Sequence, residues 1–121
     1  MWGKAIVTEG AIFSDVVNSR QVGVYSAGNV VVTGIAVGGA DFGNGFNYGA
    51  GDIYVAKYDP QGRYLWAMRS AGNAGGSGIT TDLNRNIYVT GSMYGDVTLD
   101  GLQVSTPGTQ SKSAFLLKIS P

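Results

Sequence analysis

Few side chains in this chain could do chemistry. Among its 121 residues there is no cysteine and no histidine. That removes thiol nucleophiles, Cys/His zinc sites and imidazole as a general base. Glu9 is the single glutamate, and the aspartates sit mostly in turn-like contexts. No two acids form the paired-carboxylate pattern of a glycosidase. Asp82-Leu83-Asn84-Arg85-Asn86 starts like a calcium loop, but Ile87 stands where that loop needs glycine and no glutamate closes it. It reads as a hairpin turn. Gly38 to Asp52 is glycine-rich, yet it lacks the lysine and the following helix of a phosphate-binding loop. Its Asp41 and Asp52 are read as part of a wide connection. No catalytic residue, metal ligand or cofactor is therefore expected, and the chain is read as a binder rather than an enzyme.

The residues suited to binding are Phe46, Asn47, Tyr48, Asp52, Tyr94 and Asp96. Rings beside amides and carboxylates suit a sugar, whose CH face stacks while its hydroxyls hydrogen-bond. A glycan is the leading ligand class. A protein-interaction module is the alternative, and a hydrolase comes last.

The elements that must position these residues are strands. Twenty glycines are roughly twice the ordinary share of ~7%. With only three prolines and no sustained 3.6-residue apolar period, they read as turn residues of an all-β protein. Strands are expected at Trp2–Thr8, Gln21–Tyr25, Val30–Gly34, Ile53–Tyr58, Tyr64–Arg69, Ile79–Asp82, Ile87–Gly91 and Ala114–Ile119, with a short ninth near Thr98–Leu102. Asp59-Pro60-Gln61-Gly62 predicts a tight hairpin. Arg85 stands where Gly28 stands in an earlier turn, so Asn84 or Asn86 is expected to take the left-handed conformation.

Eight basic and eight acidic residues cancel, and charged residues are 13% of the chain. No basic face for nucleic acid and no polybasic segment for a membrane surface is present. No apolar run approaches a membrane span of ~20 residues. Neither partner is expected, and the cellular compartment is left open.

One unit occurs twice. Asn29-Val30-Val31-Val32-Thr33-Gly34 returns as Asn86-Ile87-Tyr88-Val89-Thr90-Gly91, 57 positions on. Ile53-Tyr54-Val55-Ala56-Lys57-Tyr58 returns as Ala114-Phe115-Leu116-Leu117-Lys118-Ile119, 61 positions on. The strand Tyr64-Leu65-Trp66-Ala67-Met68-Arg69 has its counterpart in Met1-Trp2-Gly3-Lys4-Ala5-Ile6, ahead of the first unit. A repeat of this length indicates an array or a propeller.

The segments Asp52–Trp66 and Gly78–Ser92 resemble the bacterial β-propeller repeat family, found in long multi-bladed proteins. Gly39-Ala40-Asp41-Phe42-Gly43 and Gly95 to Gly101 match its last segment. The resemblance covers most of the chain and implies two four-stranded antiparallel blades. It implies no catalytic motif.

Two blades do not close a circle, since propellers have 4–8. The expected organisation is a single two-blade unit over residues 1–121. Repeat one covers about 2–65, repeat two about 66–121, and strand 2–8 is exchanged as an outer strand. Trp2–Thr8 of one copy is expected to pair with Ala114–Ile119 of the next, a head-to-tail contact that closes a ring. The partner is thus the chain itself. A homotrimer with six blades is the first expectation and a homotetramer with eight the second. The alternative is a fragment of a larger propeller protein.

Overall fold

In the computed structural model the described residues are 1–8, 16–24, 27–47, 53–99, 101–105 and 112–120. Among them there is no helix, and the chain is all-β. The strands are β1 (Val7–Thr8), β2 (Val16–Val24), β3 (Val30–Val37), β4 (Ala40–Asp41), β5 (Phe46–Asn47), β6 (Ile53–Tyr58), β7 (Tyr64–Arg69), β8 (Ala71–Thr81), β9 (Ile87–Leu99), β10 (Leu102–Val104) and β11 (Ser113–Ile119).

Two four-stranded antiparallel sheets form the body. Sheet 1 is the expected meander, β2-β3-β6-β7. Sheet 2 is built on β9, with β8 along one edge and both β11 and β10 along the other. A small sheet, β1-β4-β5, completes the topology.

The repeat seen in the sequence is a repeat of hydrogen bonds. Val30 pairs with Tyr58 in sheet 1 and Ile87 with Ile119 in sheet 2. Thr33 Oγ1 donates to Tyr54 O at 2.8 Å, and Thr90 Oγ1 donates to Phe115 O at 2.8 Å. Both inner strands carry a register shift at the same place, between Ser19 and Gln21 and between Gly76 and Gly78. A bulge at one matched position in two units is a shared structural feature, since bulges re-aim and bend a strand.

One turn is used in both units. Asp59 Oδ1 accepts from the backbone N–H of Gln61 and Arg63, both at 2.9 Å. Asp82 Oδ1 accepts from those of Asn84 and Asn86, both at 2.9 Å. The residue before the second donor takes positive φ in each: Gly62 at 82° and Arg85 at 66°. Arg85 itself therefore occupies the left-handed position, rather than Asn84 or Asn86. The aspartate fixes the amides on either side, so the residue between them has no choice.

The strands run longer than expected. β3 continues to Val37, β8 begins at Ala71, and β9 continues to Leu99. The glycines of β8 hid it, because they lack β-propensity. The short ninth strand lies at Leu102–Val104, folded back on the end of β9. Only Val7–Thr8 of the expected Trp2–Thr8 strand is paired, with Ala40–Asp41 of the same chain. Tyr25 lies outside the described residues.

The main core lies between the sheets. Val31, Ile53 and Val55 of sheet 1 pack against Ile79, Val89, Met93, Phe115 and Leu117 of sheet 2. Along β9 the odd-numbered residues from Ile87 to Leu99 face this core and the even-numbered ones face outward. β8 approaches sheet 1 closely because it carries little side chain there: a β-carbon at Gly76 would collide with Thr33 Oγ1. The opposite face of sheet 1 holds a second core of Phe42, Tyr54, Ala56 and Tyr58. Phe42, 1% exposed, is buried there as Leu99, 2% exposed, is buried in the other unit.

Candidate functional site

Tyr94 and Asp96 are strand residues of β9, not loop residues. They lie two positions apart on the outward face, both exposed. Alternation along the strand separates them by about 7 Å. A sugar ring spans about that distance, so the phenol can stack while the carboxylate accepts hydroxyls. Thr90 and Ser92 continue the same row.

Phe46 and Asn47 form β5, paired with Asp41 and Ala40; their side chains lie outside the described set. Tyr48 and Asp52 also lie outside the described residues. The structure thus places two of the six expected residues on one exposed face and puts two more in the backbone of the small sheet.

Asp41 and Asp82 serve as turn caps, and Asp52 lies outside the described residues. Asp41 Oδ1 accepts from Gly43 N at 2.8 Å and Gly45 N at 3.1 Å. Asp82 Oδ2 accepts from Asn86 Nδ2 at 2.8 Å and from the Tyr88 hydroxyl at 3.0 Å. Hydrogen bonds to the ionised form favour it. The Asn86 side-chain amide, ahead of the backbone donors, holds the Asp82 carboxyl below the usual range. The Arg63 backbone N–H does the same first for Asp59, aided by the guanidinium at 2.7 Å. The bond to Asp82 in turn raises the Tyr88 phenol. Among the described residues no three of Asp, Glu, Cys and His gather as a metal site.

Sequence reasoning missed a cavity on the outer face of sheet 1. It measures about 370 Å³ and is lined by Trp2, Ile6, Val22, Val30, Val32 and Tyr54 among others. The N-terminal segment forms one wall. Trp2 Nε1 donates to Pro60 O at 3.0 Å, and the Lys4 ammonium lies 5.3 Å from the centre of the Tyr58 ring. The signal was present in the alternation of Val22 and Val24, whose outward exposure is 56% and 58%. The counterpart of Val22 in sheet 2 is Ile79, which is 4% exposed.

No protein-family model matches this chain, and neither does any curated protein or solved structure.

Proposed function

We propose that the chain is a non-enzymatic binding scaffold of propeller type, its two sheets being successive blades, and that copies associate to complete a ring. One observation carries this reading. The two sheets share the order of three strands (β2-β3-β6 and β8-β9-β11), with the same register, bulge and threonine hydrogen bond, and they pack face to face through one side of each. A blade related to its neighbour in this way leaves two complementary faces at the ends of the pair: the outward face of sheet 2, and the outer face of sheet 1, which Phe42 and the N-terminal segment partly cover. Three copies would give six blades and four would give eight. The solution mass by light scattering tests it: about three chain masses is expected at high concentration, and a folded chain that stays monomeric at every concentration overturns the ring.

Carbohydrate is the ligand class this reading assigns, with Tyr94 and Asp96 as the contact residues in view. A glycan array with the intact chain tests that assignment. Binding that Tyr94→Ala abolishes supports it, and silence on every glycan removes it.

A protein-interaction module is the second reading. Leu116, 71% exposed, projects from the outward face of sheet 2. Contiguous exposed apolar side chains mark association surfaces, and Ala114, two positions along β11 on the same face, is exposed beside it.

A further inference from the structure

Among the described residues β11 pairs with β9 alone, and no described strand lies along its other edge. The equivalent strand of sheet 1, β6, has β7 on that edge. There Lys57 stands opposite Trp66, Ala56 opposite Ala67, and Val55 opposite Met68. The Lys57 ammonium lies 6.0 Å from the Trp66 ring centre. Lys118, the counterpart of Lys57, lies 6.0 Å from the Tyr88 ring instead. Trp2, the counterpart of Trp66, is 46% exposed at the far end of the sequence.

The first segment of the chain covers part of the outer face of its own sheet 1. The indole of Trp2 rests on Gly62, where a β-carbon would come within 2.6 Å of it. Beside it the cavity of about 370 Å³ remains over Val22, Val30 and Val32. In sheet 2 the matching face, built on Ile87, Val89 and Phe115, is filled by sheet 1 and fully buried. The chain also shows how the next unit would be joined. β7, the outer strand of sheet 1, passes through Ser70 directly into β8, the inner strand of sheet 2. Residues 2–6 precede β2 as β7 precedes β8.

From these relations we infer that residues 2–6 are an exchangeable arm, and that its second seat is β11 of another copy. The inference rests on the propeller reading and deepens it by assigning the register and the face. The arm pairs antiparallel with Trp2 opposite Lys118, Gly3 opposite Leu117 and Lys4 opposite Leu116. Its departure uncovers Val32 and Tyr54. The outward face of the neighbour's sheet 2, at Tyr88, Thr90 and Leu116, then takes the seat. This repeats between copies the interface already made within one. The arm thereby couples two events: while it lies on its own sheet the docking face is masked, and pairing with a neighbour frees it. Tyr94 and Asp96 lie further along β9, beyond Gly91.

Disulfide trapping tests the register, because the chain has no cysteine of its own. The double variant Lys4→Cys, Leu116→Cys is expected to yield covalently linked copies under mild oxidation. Lys4→Cys with Lys118→Cys, shifted by two residues, is expected to link at least tenfold less. Equal linkage in both variants overturns the register. An assembly of ring mass in which positions 4 and 116 do not link overturns the arm exchange, yet leaves the propeller reading standing. A chain that stays monomeric at every concentration overturns both. Hydrogen exchange on the unmodified chain needs no variant. Those amides of residues 113–119 that point away from β9 are expected to exchange slowly when assembled and fast after dilution to monomer, and no change in them on dilution overturns the exchange.

Discussion

Gly76 faces Thr33 across the sheet interface with no room for a β-carbon between them. The two residues fix how closely β8 lies on sheet 1. Gly76→Ala is expected to force the sheets apart and cost about 1–3 kcal/mol, the ordinary range for overpacking. Urea denaturation would read it as a lower midpoint at unchanged slope. An unaffected midpoint would show that the interface yields there.

Thr33 and Thr90 make the same bond in different surroundings. Thr33 is wholly buried and Thr90 is exposed. Replacing Thr33 by Val leaves one bond fewer at the Tyr54 carbonyl, inside the interface, whereas water can replace the lost donor beside Thr90. Thr33→Val is therefore expected to cost about 1–2 kcal/mol more than Thr90→Val. Equal losses in the monomer would contradict the burial of the first.

Arg85 holds φ at 66°, a conformation that glycine adopts without strain. Arg85→Gly is expected to raise stability by about 0.5–1 kcal/mol, the relief of strain less the entropy glycine adds to the unfolded chain. Burial first, and then the charge of Arg85, lowers the Lys57 pKa, so the substitution also relieves a like-charge contact. A loss of stability in thermal denaturation would count against the strained turn.

Acid is expected to weaken the two aspartate turns. Asp59 and Asp82 are held below the ordinary carboxylate value in the folded chain. Their contribution is complete above the unfolded pKa of ~3.9 and is lost as pH falls below it toward the folded values. Asp82→Asn should flatten the fall of stability measured between about pH 4 and pH 2. A slope identical to that of the unchanged chain would remove Asp82 from the effect.

Alkali acts on the second core. Burial pushes the Tyr54 phenol up to about 12 and raises Tyr58 as well, with Tyr54, Tyr64 and Asp41 adding to the latter. A group whose folded pKa is raised contributes fully below its unfolded value of ~10, and that contribution is lost as pH climbs through the folded one. Ultraviolet titration should therefore show tyrosines that ionise only above about pH 11, with stability falling over the same range. A single transition near pH 10 would mean that neither phenol is buried.

Local sequence carried much of this architecture. Asp59-Pro60-Gln61-Gly62 specifies its turn because the carboxylate caps two amides and Gly62 accepts positive φ. The alternation Val30 to Val32 and Ile87 to Val89 marks strands with two usable faces. The full extent of β8 was hidden, since Gly72, Gly75, Gly76 and Gly78 form strand for the sake of close approach, not propensity. Tyr94 and Asp96 read as loop residues because β9 continues past Gly91 on the strength of its pairing with β8.

By itself, then, the sequence determined the all-β class and the turn at Asp59 to Gly62. Those follow from neighbours along the chain, whose side chains cap amides, fix φ and alternate in and out. Only the tertiary structure decided which face of each sheet is buried, that Gly76 meets Thr33, and that Trp2 lies over Gly62 rather than along β7 or β11. Such contacts join residues distant in sequence, and their energies depend on shape complementarity that no local pattern encodes.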